Sequence, residues 1–155
     1  MDMSGNIELQ VPRPVVWRAL NDPTVLKVCI PGCEELERIG DGGLAAVAVL
    51  KVGPIKAKFK GSVKFFDVIP EQSYTIMGEG QGGIAGFASG AAKVQIEETS
   101  PNCTTLSYQT EAKVGGKLAQ LGARLIDSTA KKLAAEFFEK FRAEVERINV
   151  NDASA

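Results

Sequence analysis

Residues 78–93 read GEGQGGIAGFASGAAK, with six glycines and four alanines in sixteen positions. The opening Gly78-Glu79-Gly80-Gln81-Gly82-Gly83 satisfies G-x-G-x-x-G, and Glu98 stands twenty residues past Gly78, where a ribose-binding acid would stand. A dinucleotide site needs a helix directly after the glycines and a parallel strand beyond it. Ile84, Phe87, Ala91 and Val94 have helical spacing, yet Gly86 and Gly90 would sit inside that helix at about 1 kcal/mol each. Lys93-Val94-Gln95-Ile96-Glu97 alternates like a strand. The stretch therefore reads as a side-chain-poor strand end and a mobile loop.

The flanking sequence agrees. From Glu34 to Val114 the pattern has period two, broken at Gly40-Asp41-Gly42-Gly43, Gly53-Pro54, Pro70-Glu71 and Pro101-Asn102. Turns this short join antiparallel strands, because parallel crossovers need a dozen or more residues. Upstream, Gly5, Ile7, Leu9 and Val11 alternate with polar residues in a half-buried strand. Pro14 opens one short helix, and Asp22 caps a second through Val28. Downstream, Lys117 to about Ile148 reads as one long helix. Its apolar track runs Leu118, Leu121, Leu125, Thr129, Leu133, Phe137, Phe141, Val145, mostly in steps of four. Each such step overshoots a turn by about 40°, so the stripe winds as a curved sheet would require. The expected class is α+β. A curved seven-stranded antiparallel sheet surrounds the C-terminal helix, with two short helices after the first strand. Residues 1–148 form one domain and 149–155 a frayed polar tail.

Composition narrows the function. The 155 residues include no histidine, so the usual general base and metal ligand are absent. The net charge of −1 argues against nucleic acid as a partner. Three cysteines do not make a disulfide framework, and the polar N-terminus MDMSGNIELQ is no signal peptide, so a cytoplasmic location is expected. Cys29-Ile30-Pro31-Gly32-Cys33, with Cys103 as the remaining thiol, is too few ligands for a zinc site. Thiols packed in a loop, or a reversible disulfide, remain. The carboxylates Glu34, Glu35, Glu37, Glu97 and Glu98 fall at strand ends near water, and no catalytic residue is identified.

Alternation also assigns faces. Ala46, Ala48, Ala57, Gly61, Gly78 and Ala112 are inward and small, and Ala119, Gly122 and Ala123 lie at the start of the long helix. Small residues on facing surfaces either draw together or leave space. The first outcome is ordinary packing and the second is an apolar cavity between sheet and helix. The expected lining is Leu26, Ile30, Phe59, Val63, Ile76, Leu118, Leu121, Gly122 and Leu125, with Ile84 and Phe87 at the mouth. Tyr74, Tyr108 and Thr110 are the hydroxyls expected to face it. Lys51, Lys56, Lys58, Lys60 and Lys64 form an outward row with no acid between Asp41 and Asp67. It reads as a solvated sheet face, or as a patch for an anionic membrane or an acidic partner.

Five segments carry a resemblance over nearly the whole chain. They are Val16-Trp17-Arg18-Ala19-Leu20-Asn21-Asp22-Pro23, Cys29-Ile30-Pro31-Gly32-Cys33 and Lys51-Val52-Gly53-Pro54-Ile55-Lys56-Ala57. Gly78-Glu79-Gly80 with Gly86-Phe87-Ala88 follows, then Val114-Gly115-Gly116-Lys117-Leu118-Ala119-Gln120-Leu121-Gly122. The sequence resembles the carbon monoxide dehydrogenase G-subunit family within the START/Bet v 1-like superfamily. The resemblance implies the helix-grip fold and an accessory protein with a pocket for hydrophobic molecules. It implies partnership with a molybdenum-containing carbon monoxide dehydrogenase and its attachment to the inner face of the membrane. No tightly held cofactor is implied; a membrane quinone or another isoprenoid lipid is the fitting ligand. Some members continue past the helix into a tail ending in an apolar segment, whereas this sequence stops at Ala155. The superfamily also holds cyclases and hydrolases, so an enzyme acting on an apolar molecule in the same cavity is the alternative.

Overall fold

Pro12 cannot extend a sheet ladder and Pro14 sets the first helical turn, so the opening strand gives way to a helix within a few residues. The computed structural model, which describes residues 2–40 and 42–154 with side chains through Val150, bears this out. Strand β1 (Asp2–Leu9) is followed by helices α1 (Arg13–Leu20) and α2 (Pro23–Cys29). The Asp22 carboxylate caps α2 by accepting the Thr24 N–H at 2.9 Å. Six strands follow: β2 (Cys33–Ile39), β3 (Gly43–Val52), β4 (Ile55–Ile69), β5 (Ser73–Gln81), β6 (Phe87–Ser100) and β7 (Cys103–Gly115). All pair antiparallel in one seven-stranded sheet of order β1-β7-β6-β5-β4-β3-β2. Of the predicted turn at Gly40–Gly43, Asp41 lies outside the described residues.

The long helix differs from expectation at both ends. Residues Gly116–Leu121 form a 3-10 turn, Gly122 adopts φ +92°, and helix α3 runs from Ala123 to Ser154. A left-handed φ favours glycine, so Gly122 breaks the helix that the apolar track suggests is continuous from Lys117. At the other end the helix continues through most of the predicted tail, and Ala155 lies outside the described residues. No helix among the described residues is long and apolar enough to cross a membrane.

The glycine-rich stretch resolves into two strand ends. The β5 strand continues through Gln81, a short 3-10 turn spans Gly83–Ala85, and β6 begins at Phe87. No α-helix follows the glycines, which removes the dinucleotide reading.

The core is concentrated at one end of the sheet. Leu9, Val11, Val16, Leu106, Phe141 and Val145 are fully buried together with Cys29. This cluster joins α1 and α2 and the C-terminal half of α3 to the inner face of β1, β5, β6 and β7. Phe137, Phe138 and Phe141 extend it as an aromatic run with centroid spacings of 5.1 and 5.9 Å. A smaller cluster of Phe59, Ala85 and Leu118 closes the other end, backed by Leu50, Val52, Val114 and Leu121.

Burial sets the Cys29 thiol up to about 11 from its ordinary 9.0, with Glu144 adding to the rise and Lys140 opposing it. The folded protein thus holds this proton more tightly than the unfolded chain. The associated stability is complete below pH 9 and is lost as pH climbs towards 11. Urea titrations at pH 8.5 and 11 are expected to show a smaller decline for Cys29→Ala than for the wild type; equal declines would show that Cys29 is not the cause.

Candidate ligand-binding groove

Cross-strand register shows why the two clusters do not merge. Side chains on one sheet face are arranged in rows across the strands. Within the main cluster the inward rows are bulky: Tyr74, Val94 and Tyr108 in one, Phe65 and Ile76 in the next. The next row is Leu44, Val63, Gly78, Gly90 and Ala112, and the one beyond it is Ala46, Gly61, Gly80, Ala88 and Val114. Phe59, paired with Ala48, then restores bulk. The inner face therefore carries a belt of small side chains between two packed ends. The belt lies under a groove of about 390 Å³, lined by Ala46, Ala48, Phe59, Val63, Ala88 and Ala112 together with Gly61, Gly78, Gly80 and Gly90. Its surface is almost wholly apolar and open to solvent. Ser62, Glu79 and Ser89 complete the lining, but register gives their side chains the outward parity.

The helix explains why the space is not closed. Phe141 and Val145 are fully buried, whereas Leu125, Thr129 and Leu133 in the N-terminal half are only half-buried. The rigid rod is fixed by the main cluster at one end. At the other end Leu125 lies against Gly53, where a Cβ would stand 2.7 Å from Leu125 Cδ2. Small residues thus leave room here instead of drawing the layers together. The glycines are not equivalent. A Cβ on Gly61 would collide with the Glu79 carbonyl oxygen, so Gly61 serves close strand approach. A Cβ on Gly80 would make ordinary 3.9 Å contacts.

Several sequence-derived candidates lie elsewhere. Phe59 and Val63 line the groove, whereas Leu118 and Leu121 pack with Phe59 in the smaller cluster and, like Leu125, are not on the groove wall. Ile76 faces inward but packs against the main cluster. Leu26 is buried in α2 and Ile30 is its C-cap, neither on the groove wall. Gly122 is exposed beyond the 3-10 turn. Ile84 is 85% exposed, and Phe87 pairs with Gln81 and Gly115 on the outward parity, opposite Ala88.

The three hydroxyl residues correct the expectation most. Tyr74 is 2% exposed, packed between Trp17 and Phe65 at 5.4 and 5.1 Å, and burial drives its phenol well above the ordinary 10.0. Tyr108 stacks on Phe138 at 4.8 Å. The Thr110 hydroxyl donates to the Met3 carbonyl at 3.2 Å. All three have inward parity, but they belong to bulky rows that pack against α3 or the edge strand. Conversely, Gly80, Ala88 and Gly90 are missing from the expected lining because they fall in the stretch read as a loop. Continuing the inward parity of Gly78 and Ala112 across the paired strands finds them.

The outward face is chemically different. Lys51, Lys56, Lys58, Lys60 and Lys64 are all exposed there, and Lys58 pairs with Glu34 at 3.5 Å. Two larger depressions on this face, about 570 and 450 Å³, mix Phe66, Met77 and Ala91 with the charged Asp2, Lys64, Glu79, Lys93, Glu111 and Lys113. The charges set among these apolar side chains distinguish both depressions from the groove, whose surface is almost wholly apolar.

Comparison with known proteins is consistent with this architecture. A conserved protein from Geobacillus kaustophilus is 33% identical, with a TM-score of 0.89 over 95% of this chain and 96% of that one. A START superfamily protein from Mycobacterium smegmatis is 12% identical, with a TM-score of 0.71 over 95% and 98%. The Zhui aromatase/cyclase from Streptomyces sp. R1128 is 12% identical, with a TM-score of 0.69 over 95% and 94%. The last two establish the START/Bet v 1-like fold alone. No curated protein matches the sequence. The pattern of CoxG, the G-subunit family of carbon monoxide dehydrogenase, matches residues 5–146, and the chain belongs to that family.

Proposed function

We propose that the protein is a non-enzymatic carrier of a hydrophobic molecule, a lipid or quinone. In this reading it serves as an accessory to a molybdenum carbon monoxide dehydrogenase-type enzyme and helps link it to the membrane. The observation that carries the proposal is the apolar groove of about 390 Å³ held open between two packed clusters. Its belt supplies no side chain able to exchange a proton, whereas catalysis of that kind needs an acid or base within hydrogen-bond reach of the reacting atom. The name of the family supports the accessory role. The test is to purify the protein from its own host, extract it with organic solvent, and identify the bound molecule by mass spectrometry. The same molecule, returned to the protein and incubated, is expected back chemically unchanged. Turnover by the isolated protein would replace this reading with the cyclase-like alternative.

The lysine row is the proposed contact with an anionic membrane or acidic partner. Each lysine near a charged bilayer contributes about 1 kcal/mol. Lys56→Gln, Lys58→Gln and Lys60→Gln together are therefore expected to weaken sedimentation with phosphatidylserine vesicles at least tenfold. Raising salt from about 50 to 300 mM acts in the same direction, because the screening length shrinks. Association indifferent to both changes would leave the row a solvated face.

A further inference from the structure

We infer that the groove reads the hydrocarbon chain of its ligand and is blind to the polar head. The inference rests on the carrier reading and says which part of the ligand is recognised. Specificity for a head group requires a polar or charged partner placed to meet it, since a buried polar group without one is costly. The belt offers none: its two rows present only alanine, glycine, valine and leucine. Of the nearest inward hydroxyl residues, Thr110 donates to the Met3 carbonyl and the Tyr108 ring is stacked on Phe138 in the packed end. The lysine row belongs to the opposite face of the sheet and so does not face a head-group charge at the groove. The open side leaves the head in water, where its hydrogen bonds are already satisfied.

Size limits the chain. At ~30 Å³ per heavy atom, about the share of one water molecule, 390 Å³ holds roughly a dozen carbons. Anything longer leaves its remainder outside. The groove thus treats a long isoprenoid or acyl molecule as a short apolar segment with an indifferent appendage. This makes a general carrier of single chains, selective by shape and length.

The experiment uses three series of single-chain amphiphiles, alkyl maltosides, alkyl sulfates and alkyl trimethylammonium salts, with about 6 to 16 carbons. Each is titrated calorimetrically into the full chain below its micelle concentration, at about 0.15 M salt, where screening extends ~8 Å. Affinity is expected to rise about fourfold per methylene and to level off near a dozen carbons. At fixed chain length the three heads are expected to agree within about threefold. In Ala88→Leu, whose side chain carries three more carbons, the plateau is expected to begin about three carbons earlier. A tenfold head preference at constant chain length overturns the inference while leaving the carrier reading standing. So does a plateau unmoved by Ala88→Leu, because the chains would then be binding elsewhere. Failure of every series to bind the wild type, in a protein that melts cooperatively, overturns the carrier reading itself.

Discussion

Phe141→Ala is expected to remove about 3–5 kcal/mol of stability, enough to lower the melting temperature by roughly 6–20 °C for a chain of this size. Phe141 is fully buried, stacks with Phe137 at 5.9 Å, and ties α3 to the cluster that includes Leu9, Leu106 and Val145. Truncation there leaves a cavity bounded on every side, and a surround of strands and helices collapses into it only in part. Leu133→Ala on the same helix is expected to cost about 1 kcal/mol, because Leu133 is only half-buried and its lost contacts are few. Urea denaturation of both variants measures the contrast. Equal losses would mean that α3 is held uniformly along its length, and the division into a packed end and an open end would fail.

That division marks the limit of what is legible in the sequence. Alternation in 5–11 and 34–114 and the winding apolar track of α3 specify seven strands and one long helix, because both signals are periodic and local. Face assignment also holds: Lys56, Lys58, Lys60 and Lys64 are exposed, and Phe59 between them is buried. What periodicity does not report is how far a face stands from its opposite layer. Tyr74 and Tyr108 share inward parity with Gly78 and Ala112, yet the former fill the packed end and the latter line the groove. Depth along the strand separates them, and it depends on where α1, α2 and the α3 aromatics dock. The expected lining favours bulky apolar residues, which a packed core uses for itself. The residues that leave space are the small ones, and Ala88 and Gly90 are hidden in a stretch whose glycines suggest a loop. Gly122 illustrates a different limit. Its place inside the helix predicted from Lys117 suggests a helical residue, whereas its backbone freedom is used to break the chain before α3.

Filling the belt is the most direct test of the groove, and Gly122 is the wrong place to do it. At φ +92° any side chain strains the backbone, and nothing lies within 4 Å of a Cβ there. Gly61 is unsuitable for the opposite reason, since its Cβ would strike the Glu79 carbonyl oxygen. Ala46 and Ala88 already carry a Cβ on the groove wall, in one inward row separated by Gly61 and Gly80. The double variant Ala46→Leu/Ala88→Leu adds six carbons, which at ~30 Å³ each occupy about 180 Å³. That is nearly half of the 390 Å³ available. Extra methylenes in a packed core cost about 1–3 kcal/mol through displaced neighbours, but here they enter open space. The double variant is therefore expected to stay within about 1 kcal/mol of wild-type stability. A bound chain displaced from six carbons' worth of wall forfeits about 0.8 kcal/mol per methylene. Affinity for an apolar ligand is accordingly expected to fall at least ~100-fold, read by titration of a decyl or dodecyl chain. Unfolding of the variant together with no measurable binding by the wild type would identify the belt as packed interior. Undiminished binding by a folded double variant would place the ligand on another surface.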